Sequence, residues 1–141
     1  MKIALKNVKI ARHMSQETTA FTASLWIDNK RVGDVRNEGC GGPNDVWIED
    51  RELRELFHAH VTTMPDMVTD YGTFPMNVDL FISDLLEKHE HQQWIKRQTR
   101  RKIIFRLDGD KANEFRTVSK SDQAREFIRG KYGSKIVEMH G

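Results

Sequence analysis

Segregated strand and helix patterns predict an α+β fold, in which an antiparallel sheet from two hairpin or meander units packs with two or three helices in a single domain, residues 1–141. Three observations carry this expectation. Apolar residues alternate with period two near the start of the chain, recur at helical spacing through its middle, and alternate again around a turn beyond residue 100 before a last helical stretch.

Within Lys2–Ile10, Ile3 and Leu5 alternate, then Val8 and Ile10, and the phase break near Asn7 predicts a bulge in one strand. Thr19–Ile27 places Phe21, Ala23, Leu25 and Ile27 on one face and Thr22, Ser24 and Trp26 on the other. Asp28-Asn29-Lys30 turns the chain into a second arm over Arg31–Arg36, where Val35 is out of phase with Val32. Val46-Trp47-Ile48 either adds a short strand or staples the start of a helix over Asp50–His60, in which Leu53, Leu56, Phe57 and His60 share a face behind an acidic start. Pro65, Gly72 and Pro75 break the pattern, so Thr62–Pro75 reads as a loop.

Asn77 caps a long helix with Val78, Phe81, Ile82, Leu85 and Leu86 as its buried stripe, which Trp94 and Ile95 extend toward a basic run. Ile103, Phe105 and Leu107 alternate within Lys102–Asp108, and Asp108-Gly109-Asp110-Lys111 turns into a partner arm around Glu114–Val118. Ser119 or Ser121 caps a last helix, Gly133 stops it, and Ile136 and Val137 suggest a final short strand.

Composition bounds the function classes. With 38% hydrophobic and 31% charged residues the chain has the makeup of a globular domain rather than a disordered one. No run approaches about 18 consecutive apolar residues, so no membrane partner is expected and the default compartment is cytoplasmic. The single cysteine, Cys40, excludes an internal disulfide and a cysteine-based metal framework. Net charge is +2, yet residues 1–95 carry 10 basic and 15 acidic side chains and residues 96–141 carry 13 and 6. A cationic C-terminal third points to a partner bearing negative charge.

Asn37-Glu38-Gly39-Cys40-Gly41-Gly42-Pro43-Asn44 gathers three glycines and a proline in eight residues. Such a run is either a structural corner from hairpin to helix or a loop whose N–H groups converge on an anion. It lacks the lysine and hydroxyl of a P-loop and the setting of a dinucleotide fingerprint. Cys40 is surrounded by no nucleophile signature. His58 and His60, like His89 and His91, stand two residues apart, which on a helix turns them away from each other; Glu87 and His91 at i, i+4 make half of a ligand set. Asp28-x-Lys30 and Asp108-Gly109-Asp110 read as turns rather than nuclease or calcium sites. No catalytic set, metal site or cofactor is therefore assigned. Trp26 and Trp47 are either stacking platforms or core and interface residues.

The most informative charge feature is Gln92–Lys102. If helix continues through it, Lys96, Arg97, Arg100 and Arg101 share one side, suited to several phosphates or carboxylates at once; the alternative is a set of cations that complements a helix C-terminus. The candidate ligand-binding residues are Lys96, Arg97, Arg100 and Arg101, with Gly39, Gly41, Gly42 and Asn44 of the glycine-rich loop.

Phe21-x-Ala23-x-Leu25-x-Ile27-Asp28-x-Lys30-x-Val32-Gly33, the Asn37-x-Gly39-x-Gly41-Gly42 that follows, Phe105-Arg106-Leu107-x-Gly109-Asp110-Lys111 and Lys131-Tyr132-Gly133 resemble segments of small uncharacterised proteins of phages, plasmids and other mobile elements. The resemblance implies no catalytic residue. It implies a context in which such proteins bind or inhibit host machinery, defence systems included. The expectation is a non-enzymatic binding protein, self-associating, that engages a host protein or nucleoprotein complex, nucleic acid or a nucleotide. The alternatives are a nucleotide-capturing protein using the glycine-rich loop, a small enzyme with a cysteine–histidine site, and an assembly protein.

Overall fold

A computed structural model describes all residues, Met1–Gly141. It has the predicted α+β class, with three α-helices and nine strands in antiparallel sheets. The chain forms two compact units, Met1–Glu87 and Lys88–Gly141.

The first unit is built on a four-stranded meander of β1 (Ile3–Ile10), β2 (Phe21–Ile27), β3 (Lys30–Asn37) and β4 (Asp45–Ile48), in that spatial order. The phase break in β1 is a bulge. Pairing passes from Lys6↔Ser24 to Lys9↔Thr22 with two β1 residues opposite one of β2, and Asn7 takes a φ of 52°. A second irregularity, between Leu25↔Gly33 and Trp26↔Arg31, leaves Val32 over and accounts for Val35 being out of phase with it. Both insertions keep apolar side chains inward on either side of the kink. Gly33 has a steric reason: a Cβ there would collide with the Trp47 carbonyl of β4.

Helix α1 (Arg51–Thr62) starts at Asp50, whose carboxylate accepts the Leu53 N–H at 3.2 Å. Helix α2 (Val78–Gln98) starts at Asn77, whose Oδ1 accepts the Leu80 N–H at 2.9 Å. Phe57 and Val61 of α1 and Phe81, Ile82 and Leu86 of α2 close over the inward face of the meander, where Leu25, Val35 and Ile48 are buried. The segment read as a loop after Thr62 holds a small hairpin, β5 (Met67–Thr69) with β6 (Gly72–Phe74). Three-residue strands separated by Asp70 and Tyr71 are too short to show an alternation, which is why the pattern concealed them.

The second unit contains the C-terminal part of α2, then β7 (Lys102–Leu107), β8 (Arg116–Ser119), α3 (Asp122–Tyr132) and β9 (Ile136–His140), with the sheet in the order β8-β7-β9. Ile128 of α3 is buried with Ile103, Phe105 and Leu107 of β7, and Ala124, Tyr132, Ile136 and Met139 pack against them. Of the two serines that suit the α3 cap, Ser121 takes the role, its Oγ accepting the Ala124 N–H at 3.0 Å. The β7–β8 turn is held by Asp110, whose carboxylate accepts from Leu107 N–H and from Arg116 Nε and Nη2 at 3.0–3.2 Å. The Arg116 guanidinium is the main reason that the Asp110 carboxyl lies below its ordinary range. No helix is long and apolar enough to cross a membrane.

Candidate functional site

The eight candidate ligand-binding residues fall in different units. Gly39, Gly41, Gly42 and Asn44 belong to the first, and Lys96, Arg97, Arg100 and Arg101 to the second.

The glycine-rich octet is organised by Asn37, which is 8% exposed at the end of β3. Its Oδ1 accepts the Gly39 N–H at 2.8 Å and the Thr18 hydroxyl at 2.9 Å, while its Nδ2 donates to the Gly42 carbonyl at 3.2 Å and Asn44 Oδ1 at 3.0 Å. The Gly39 carbonyl accepts from the Gln16 and Glu17 amides at 3.0 and 3.1 Å, fastening the loop to the segment after β1. Gly39 has a φ of 83°, and a Cβ there would lie 2.5 Å from the Met14 carbonyl and 2.9 Å from Ala20 Cβ, so only glycine fits. Gly41 N–H donates to Thr18 Oγ1 at 3.3 Å. Asn44 N–H donates to Asp79 Oδ1 at 2.7 Å, and its Nδ2 donates to the Asp79 carbonyl and Ser83 Oγ, tying the loop to the first turns of α2. The density of permissive backbone is accounted for by this internal network, in which the Gly39, Gly41 and Asn44 amides are already engaged. Cys40 is exposed in the same loop.

The basic run departs from the expected continuous helix. Helix α2 ends at Gln98, and Thr99-Arg100-Arg101 turn the chain into β7. The Thr99 hydroxyl donates back to the Ile95 carbonyl at 2.8 Å, competing for the backbone at the point where the helix stops. Lys96 and Arg97 therefore stand on the last turn of α2, while Arg100 and Arg101 stand on the tight turn after it rather than one helical turn further on. All four are exposed. The end of β8 closes on the same corner. Lys120 N–H donates to the Arg101 carbonyl at 3.0 Å, and the Lys120 ammonium caps the Thr99 carbonyl at 3.0 Å. Lys120 and the exposed Lys102 enlarge the cluster, and none of these six cations is ion-paired to a carboxylate.

A polar cluster absent from the sequence reading lies on the face of β7 and β9 opposite Phe105 and Ile128. His140 and Glu138, two residues apart on β9, meet at 2.6 Å, and Glu138 Oε2 stands 3.7 Å from Arg106 Nε of β7. The His140 hydrogen bond is the main cause holding the Glu138 carboxyl below the usual carboxylate range, with the Arg106 and His91 charges acting in the same direction. His91, named as half of a metal pair with Glu87, instead stacks on Trp94 at 5.9 Å and lies beside Phe115. No group of three or more His, Cys, Asp or Glu is placed to hold a metal. The cross-strand pairing Arg106↔Glu138 creates this cluster, and nothing local to either segment announces it.

No family model, curated protein or solved structure matches the chain.

Proposed function

We propose that the chain is a non-enzymatic binding protein that engages a polyanionic or nucleic-acid-associated partner through the corner between α2 and β7. One observation carries this reading: Lys96 and Arg97 on the last turn of α2, Arg100 and Arg101 on the tight turn after it, Lys102 at the start of β7 and Lys120 just past β8 gather at one corner with no carboxylate paired to them. Crowding like charges is unfavourable in the free protein and is relieved when phosphates or carboxylates replace water around them. Only part of the cluster is needed at the helix end, where the Lys120 ammonium already reaches the carbonyl of Thr99, the residue that follows α2. The 14 basic and 7 acidic side chains of the second unit extend the same field around the corner. The resemblance to small mobile-element proteins supports the most concrete form of the reading, an inhibitor of a host nucleoprotein complex acting in the cytoplasm as a self-associated species.

Replacing Arg100 and Arg101 together by glutamate tests it. The account expects partner or polyanion binding to fall at least tenfold and its salt dependence to flatten, with the melting curve unchanged. Unaltered affinity in the folded double variant contradicts it.

A further inference from the structure

We propose that the outward face of the first unit's meander is a second, separate binding surface, and that its ligand is single-stranded nucleic acid. The helices cover only the inward face, where Leu25, Val35, Ile48 and Phe57 are buried. Strand register lays the outward side chains in two rows. Lys6, Ser24, Asp34 and Trp47 stand side by side across the four strands, and Lys9, Thr22, Arg36 and Asp45 form the next row. Trp26 and its β3 partner Arg31 continue the face beyond the first row.

Charge segregation on this face is the first argument. The unit as a whole is acidic, with 9 basic and 14 acidic side chains, yet four of the nine bases stand here and only two of the fourteen acids. Asp34 pairs with Arg31 at 2.6 Å, which leaves Lys6, Lys9 and Arg36 against Asp45 alone. An ordinary solvated sheet face in an acidic unit carries no such inversion, whereas a strand of phosphates is complementary to it.

The aromatic residues supply the second argument. Trp47 is 62% exposed on the edge strand β4, an unusual exposure for a tryptophan that lies outside the core. The Arg54 guanidinium lies 5.7 Å from its ring, which leaves the exposed indole for a base. Trp26 is half-buried under the Lys6 ammonium, 4.0 Å from its ring centroid, and so fixes a cation at the edge of the face rather than serving as the platform. Between them Asn7, Lys9, Thr22, Ser24, Asp34 and Arg36 line a shallow concavity of about 330 Å³. Hydrogen-bonding groups, the Lys9 and Arg36 cations and one exposed indole on a twisted sheet suit splayed bases with a flexible backbone, not a stiff duplex.

The test titrates the full chain into fluorescein-labelled 20-nucleotide dT and U strands, with a duplex of equal length as comparator, and reads anisotropy. Trp47→Ala and the double variant Lys9→Glu/Arg36→Glu are each expected to weaken single-strand binding about tenfold or more, Trp47→Phe by much less, with thermal melts unchanged. Wild-type affinity in both variants overturns the sheet-face proposal, and if Arg100→Glu/Arg101→Glu then abolishes binding, the corner stands alone. The reverse pattern removes the corner and leaves the sheet face. A duplex bound as tightly as the single strands, or no binding to any strand, also overturns the proposal.

Discussion

The two units handle charge in opposite ways. The first is acidic overall but draws four cations onto one sheet face; the second is basic overall and leaves six unpaired at one corner, while Glu138, Asp110 and Glu114 pair with Arg106, Arg116 and Lys111 elsewhere. Net charge per segment thus identifies the second surface and hides the first. The cores differ as well. Eleven buried residues from one sheet and two helices form the first, and four from a three-stranded sheet and one helix form the second. The wider core supports a glycine-rich loop with a network of its own, and the smaller supports a cationic turn held by two bonds from Lys120.

The largest effects are expected in the cores. Phe57 is fully buried, and Phe57→Ala should cost about 3–5 kcal/mol in urea unfolding. Ile128→Val in the second unit should cost only about 1 kcal/mol, since it removes one methylene from a buried side chain. A loss below about 1 kcal/mol for Phe57→Ala would contradict its place at the centre of the first core.

Next comes the loop. Asn37→Ala removes four hydrogen bonds and leaves the Gly39 amide and Gly42 carbonyl without their partner, so a loss of about 2–3 kcal/mol is expected in thermal or urea melts. A neutral result would mean that the network does not hold the corner.

A smaller effect sharpens the account of the second unit. Glu138 has a folded-state pKa below its unfolded one, so it binds fewer protons when folded; its stabilisation is present above the ordinary carboxylate value and is lost as pH falls through the lowered folded value. Glu138→Gln should lower the melting temperature at neutral pH, and the difference from wild type should shrink as the pH falls below the carboxylate range. A gap that persists into acid would assign the effect to packing rather than to charge.

Much of this fold was legible because its elements are long and periodic. Asn77 and Ser121 caps, the Gly133 stop and even the bulge at Asn7 follow from residue type and phase. What escaped is either too short to show a period or depends on pairing between distant segments. The β5–β6 hairpin is too short to alternate, and the Glu138–His140–Arg106 cluster exists only through the register of β9 on β7. At the candidate site, the four cations and the glycines were evident, but the helix was expected to continue through Arg101, whereas Thr99 turns it at Gln98. The outward face of the meander was hidden for a related reason. Lys6, Lys9, Arg31 and Arg36 are scattered through an acidic segment, and only two bulges and three registers set them on one face with Trp47.

The central claim is that the α2–β7 corner takes up negatively charged groups. Its most direct test is the dependence of polyanion affinity on salt, measured by anisotropy for the wild type and for Arg100→Glu/Arg101→Glu over the same series. The account predicts a steep linear fall of log affinity with log salt in the wild type and a slope shallower by about 1–2 in the variant. A slope that is equal in the two proteins, or near zero in both, would contradict it.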